Sequence, residues 1–207
     1  MLPKEMIYEI YNFLGNTDKR RLRQTSTKYD IKFRENDILQ ELIEDGYDIP
    51  EKYYCNYIWV IILNGRLDLV KKTNIKMIIN VCSIAAVCGQ LEILKYTHES
   101  GCLWNTHTCR FAAGGHLECL KYAHEHGCPW DEDTCRAAAQ GHLECLIYAR
   151  ENECPWDEQT CRAAAQGHLE CLKYAYENEC PWSPWTLDAC RWAARGHPTC
   201  LAYLNSW

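Results

Sequence analysis

The chain has 207 residues, enough for one elongated array plus a small extra module. A net charge of −6 argues against the clustered basic surface that nucleic-acid binding needs, and the densest basic run, Lys19-Arg20-Arg21-Leu22-Arg23, reads as a solvated helix face. The most apolar run, Ile58 to Leu63, is far shorter than the ~20 residues of a membrane-spanning helix. Lys4, Glu5 and Glu9 interrupt the first apolar stretch, so no secretory signal is expected. Neither nucleic acid nor membrane is an expected partner, and a reducing compartment follows: the cytoplasm, with the nucleus also open.

In chain order, Met6, Ile7, Ile10, Phe13 and Leu14 recur at the 3.6-residue spacing of an amphipathic helix. Pro3 suits its first turn and Gly15-Asn16 stop it. Thr17 or Asp18 can cap a second helix running through Leu22 towards Ser26. Taken alone, residues 1–34 form a helical cap. Residues 35–57 are a transition: Asp37 caps an amphipathic segment through Glu44, and Gly46 stops it. The tyrosine-rich Tyr53-Tyr54-Cys55-Asn56-Tyr57 is expected to pack, not to act as a flexible linker.

From residue 58 to 207 the chain repeats, with about six units starting near 58, 77, 104, 130, 156 and 182. The units from Trp130 and Trp156 are 26 residues long and differ only at Asp133/Gln159, Ile147/Lys173 and Arg150/Tyr176. A fixed period signals stacked units, because one unit alone cannot bury its apolar face. In the unit from Trp130, Asp131 caps a first helix with a small face of Cys135, Ala138 and Ala139. Gly141 ends that helix, and a second one is expected to bury Leu143, Leu146 and Ala149. The last unit carries three extra residues around Ser183-Pro184-Trp185.

Of the fifteen cysteines, twelve fall into three repeat registers, for example Cys128/Cys154, Cys135/Cys161 and Cys145/Cys171. An odd total spread by register reads as small buried hydrophobes, not as a disulfide framework. His116, His142, His168 and His197 follow each glycine and, with the cysteines, suggest metal ligands. A structural zinc site needs four ligands at ~2.0–2.3 Å, however, while equivalent residues of stacked units lie ~10 Å apart. No metal and no cofactor are therefore expected, with a metal- or redox-responsive array as the rival reading. No GxSxG, glycine-rich phosphate loop or HExxH occurs, so no catalytic residue is assigned and no enzyme is expected.

The string LPKEMIYEIYNFLGNTDKRRLRQTSTKY resembles the F-box. That resemblance implies that Leu2, Pro3, Glu5, Ile10, Phe13, Leu14 and Asp18 dock on the Skp-type adaptor of a cullin ubiquitin ligase. The motif AAAQGHLECL, at 137–146 and again at 163–172, resembles the ankyrin repeat, shortened from its usual ~33 residues. Cys-Pro-Trp-Asp stands where ankyrins carry a projecting hairpin. The combination resembles ankyrin repeat proteins of giant DNA viruses of amoebae. It implies an all-α, right-handed helix-pair solenoid of ankyrin type behind an F-box-like module, acting as a ubiquitin-ligase substrate receptor in the host cytoplasm. The alternative is a plain ankyrin-repeat scaffold or decoy whose N-terminal helices serve only as a cap, and Lys19, where the F-box usually has an apolar residue, favours it. The resemblance also implies that the turn histidines bond backbone and that the first helices line a concave face.

Positions that vary between units are the candidates for contact with a target protein. Those on the first helix are His107, Asp133 and Gln159, then Phe111 and Trp192, then Gly114, Gln140, Gln166 and Arg195. Exposed aromatics among polar neighbours, such as Phe111 and Trp192, suit binding hot spots. Lys121/Ile147/Lys173 and His124/Arg150/Tyr176 vary on the second helix. A monomer is expected.

Overall fold

A computed structural model describes residues 54–72 and 80–206. The F-box-like residues Leu2, Pro3, Glu5, Ile10, Phe13, Leu14 and Asp18 lie outside the described residues, as does the expected transition helix. From Tyr57 onward the chain forms one compact unit. Among the described residues there are twelve α-helices, one 3-10 turn and no strand. None of these helices is long and apolar enough to cross a membrane.

The helices come in pairs. α1 (Tyr54–Leu63) and α2 (Leu67–Lys72) are followed by α3 (Val81–Val87) and α4 (Leu91–Glu99). Then come α5 (Thr106–Ala112) with α6 (Leu117–Glu125), α7 (Glu132–Ala138) with α8 (Leu143–Glu151), and α9 (Glu158–Ala164) with α10 (Leu169–Glu177). α11 (Pro184–Ala193) and α12 (Pro198–Leu204) close the series, joined by a 3-10 turn at Ala194–Gly196. From α3 on, each first helix packs on the next first helix, and from α2 on each second helix packs on the next second helix. The result is two layers of stacked short helices. The helix expected from Ile58 begins at Tyr54, so part of the tyrosine-rich segment is helical.

Capping explains where the first helices start. Asn105, Asp131 and Asp157 sit in extended conformation and accept from the amides of His107, Asp133 and Gln159, and Ser183 accepts from Thr186. The extra residues of the last unit enter the helix, so α11 has ten residues where α7 has seven. Between the layers lie Ala112, Ala138 and Ala164 with Leu120, Leu146, Leu172 and Leu204, all fully buried. Each such leucine contributes about 1.5–3 kcal/mol by leaving water.

The buried stripe of a second helix is Cys145, Leu146 and Ala149, not the expected Leu143, Leu146 and Ala149. Leu117, Leu143 and Leu169 are half-buried. Each is the first residue of its helix, where the Cα–Cβ bond tilts back over the exposed turn, so the stripe rotates towards the cysteine.

Candidate functional site

The first-helix layer is built from the recurring Thr-Cys-Arg run. Its threonine and cysteine turn inward, fully buried at Thr108, Cys109, Thr134 and Cys135. The arginine, next along the helix, is thereby thrown to the outer side of the layer. Arg110 reaches across the unit boundary to Asp133, at 3.4 Å, and Arg136 reaches to Asp157 of the following unit, at 2.9 Å. Arg136 also pairs with Asp133 on its own helix. Asp133 therefore helps hold the stack, although it varies between units.

Beside this charge ladder lies a cavity of about 290 Å³ whose lining includes Arg110, Phe111, Gly114, Asp133, Ala137 and Gln140. Four candidates from the sequence, Phe111, Gly114, Asp133 and Gln140, thus meet in one place. His107 lies beside them, its ring stacked on Phe111 at 6.0 Å between centroids. Gln159, Gln166, Trp192 and Arg195 do not line this cavity; they sit further along the same layer. Phe111 is 39% exposed and Trp192 67%, so both offer apolar surface that the fold leaves uncovered. Trp185, 84% exposed, was not among the candidates. Its signal was the insertion Ser183-Pro184-Trp185, which breaks the register of the last unit.

The turn inside each unit has a different job. The His116 Nε2–H donates to the Val87 carbonyl of the preceding unit at 3.0 Å. Its ring lies over Gly89, and the same arrangement recurs for His142 over Gly115, His168 over Gly141 and His197 over Gly167. In the first units Gln90 does the same, over Gly65 and donating to the Leu63 carbonyl at 3.2 Å. The histidine thus latches two units together, where the ankyrin resemblance implied a bond within its own turn. Burial, with His142 and His197 nearby, lowers the pKa of His168 and favours the neutral ring.

The turn between units is closed by a stack. His98 lies flat on Trp104 at 3.6 Å, and His124 on Trp130 at 3.8 Å. Arg150 lies over Trp156 at 4.5 Å, and Tyr176 packs edge-on to Trp182 at 6.0 Å. The hydroxyls of Tyr122 and Tyr148, from the next unit, lie 3.3 and 3.1 Å from the Nδ1 atoms of His98 and His124. The varying set His124/Arg150/Tyr176 is therefore occupied with structure, and every member of it is planar.

The fourteen cysteines from Cys82 to Cys200 are free, and all of them but the half-buried Cys88 are buried. Burial pushes the Cys82 and Cys119 thiols up to about 11 and Cys190 up to about 12. Such thiols are poor nucleophiles at neutral pH. Cys128, Cys154 and Cys180 direct their S–H groups at the carbonyls of Asn105, Asp131 and Asp157, at 3.3–3.5 Å. Each one ties the end of its unit back to the residue that caps its first helix. Among the described residues no three histidine, cysteine or carboxylate side chains are grouped to hold a metal ion.

No protein-family model matches the sequence, and no curated protein is significantly similar to it. The arrangement must speak for itself. It offers a shallow, uncovered, mixed apolar and charged face, suited to non-covalent contact along several units.

Proposed function

We propose that this chain is a protein–protein interaction adaptor of ankyrin type, whose first-helix layer holds a segment of a target protein. The observation that carries this reading is the cavity around Phe111: it spans neighbouring units, combines a ring that is 39% exposed with arginine, carboxylate and amide groups, and has His107 stacked beside that ring. Extended surfaces of this kind are how stacked-repeat proteins recognise other chains. The helix pairs, the glycine turn with its histidine latch and the 26-residue period support a right-handed ankyrin-type solenoid with the outer hairpin replaced by the Trp stack.

The F-box-like segment completes the proposal. Leu2, Pro3, Glu5, Ile10, Phe13, Leu14 and Asp18 engage a Skp-type adaptor, so that the repeats present a target to a cullin ubiquitin ligase. The chain contributes effective concentration and orientation, with no covalent chemistry of its own. A pull-down of recombinant Skp-type adaptor by the full chain tests this. Binding that survives Ile10→Asp and Leu14→Asp, or that never occurs, removes the ligase role and leaves the plain scaffold or decoy. Affinity capture from host cells with Phe111→Ala then tests the target face: an unchanged set of captured proteins removes that assignment.

A further inference from the structure

The last unit departs from the others in charge and in exposed aromatic surface, and both departures fall on the first-helix layer. Residues 130–155 carry six acidic and two basic side chains, whereas residues 182–206 carry one acidic and two basic ones. Arg110 and Arg136 each meet a carboxylate of the following unit. Arg162 is next in that ladder, but the unit it faces opens on Ser183-Pro184-Trp185 instead of Asp-Glu-Asp or Asp-Glu-Gln. Among the described residues, exposed Arg162 and exposed Arg195 have no carboxylate at ion-pair distance, while Arg191 is held by Asp188 at 3.7 Å and by the Leu204 carbonyl at 3.2 Å.

By repeat register, Arg162, Trp192 and Arg195 take the places that Arg110, Ala137 and Gln140 hold around the Phe111 cavity. α9 packs on α11 as α5 packs on α7, so the equivalence is one of packing as well as of sequence. At this boundary a small residue has become an exposed tryptophan, an amide has become a cation, and the carboxylate at the place of Asp133, Asp188, is held by Arg191 on its own helix and does not reach Arg162. Trp185 and Trp192 lie seven residues apart on α11, two turns along one side of the helix. We propose that this end of the layer, Trp185 and Trp192 with Arg162 and Arg195, binds an acidic polypeptide segment whose carboxylates flank a planar apolar side chain. The planar group packs on the Trp192 face while the carboxylates engage Arg162, which has no ion-pair partner among the described residues, and Arg195; guanidinium groups suit this because they meet a carboxylate with two parallel donors. The inference rests on the adaptor reading and names the chemistry of its target.

The test pans a phage-displayed library of random dodecapeptides against the full chain and against the Phe111→Ala, Trp192→Ala and Arg162→Glu/Arg195→Glu variants. All four positions are exposed, and thermal melts confirm that each variant folds. The expected result is enrichment of peptides with aspartate or glutamate beside an aromatic residue, lost on the arginine double variant and kept on Phe111→Ala. The affinity of a synthetic copy of the enriched peptide falls about thirtyfold on Trp192→Ala, as for a central hot spot. Enriched peptides without acidic residues, or peptides lost on Phe111→Ala and indifferent to the other variants, overturn this inference and leave the adaptor reading standing. No enrichment on the unmodified chain overturns both. A concentration-dependent dimer in sedimentation that Trp192→Ala abolishes also overturns it, because the surface would then be a self-association face.

Discussion

The two turns of each unit are held under different constraints. Inside the unit, a glycine at positive φ (109° at Gly141, 115° at Gly167) lies directly beneath the histidine ring of the following unit. A Cβ at Gly141 would sit 2.8 Å from His168 Nδ1, so neither the conformation nor the space admits another residue there. Between units, the contact is a flat group laid on or against a tryptophan, and His98, His124, Arg150 and Tyr176 all serve. Invariance among copies therefore marks a steric demand that one residue meets, while variation marks a demand on shape that several meet. Neither is by itself a sign of binding.

The strongest test of this contrast is Gly141→Ala. Positive φ and the overlap with His168 together are expected to destabilise the chain by about 2–4 kcal/mol, read as a drop in the urea midpoint. Adding His168→Ala removes the overlap and leaves the backbone strain, so the pair is expected to be less than additive. Gly127, in the turn between units, has φ 79° but nothing within 4 Å of a Cβ. Gly127→Ala should thus cost only about 1 kcal/mol. Equal losses at the two glycines would show that the histidine latch is not tight.

Next in size is the outer stack. Trp130 is half-buried between His124 and Tyr148. Trp130→Ala is expected to lose about 2 kcal/mol of stability, less than the 3–5 kcal/mol of a fully buried tryptophan. His124→Arg, which copies the pairing at Arg150, is expected to fall within about 0.5 kcal/mol of the original, whereas His124→Leu should lose about 1 kcal/mol of stacking. If leucine is tolerated as well as arginine, planarity is not what the position requires.

A gain of stability is expected at Glu153 and Glu179. Both adopt φ 62° at the place of Gly101 and Gly127, with Cys154 and Cys180 amides closing the turn onto Ala149 and Ala175 at 2.9 and 3.0 Å. Glu153→Gly should stabilise by about 1 kcal/mol, because the left-handed conformation is unfavourable for any side chain with a Cβ. No gain would mean that these glutamates have local partners that offset the strain.

Much of this fold was legible in the sequence because its signals are local. Asp131 and Asp157 announce helix starts, the glycines announce turns, and the 26-residue register assigns the buried alanines and cysteines. What escaped were contacts across units. The carboxylate of Asp133 is recruited by Arg110, which is 23 residues away, and His124 is recruited by Trp130 and Tyr148. Variation at those positions therefore looked like freedom from the frame. Trp185 escaped for the opposite reason: the three extra residues around it have no counterpart in the other units to compare, yet they lengthen α11 by a turn and bring a second tryptophan onto the side of Trp192.

The smallest expected effect is a pH dependence of the outer stack. His98, stacked on Trp104, has its pKa lowered from the usual 6.5 by burial first and by His126 second, with Glu99 opposing. Because the folded value lies below the unfolded one, the unfolded chain binds more protons in the window between them. Unfolding then takes up protons, so the stability is fully present above about pH 6.5 and is lost as the pH falls towards the folded value. His168 shifts the same way and adds to the slope, while Asp68, also lowered, titrates in the carboxylate range below this window. Urea unfolding at pH 7.5 and 5.5 is expected to show lower stability at the acidic end. His98→Tyr, which installs the residue that Tyr176 supplies at the equivalent place, should flatten that slope without abolishing it, since His168 remains. A slope unchanged in His98→Tyr would place the titration elsewhere and would mean that the imidazole on Trp104 accepts a proton as easily folded as unfolded.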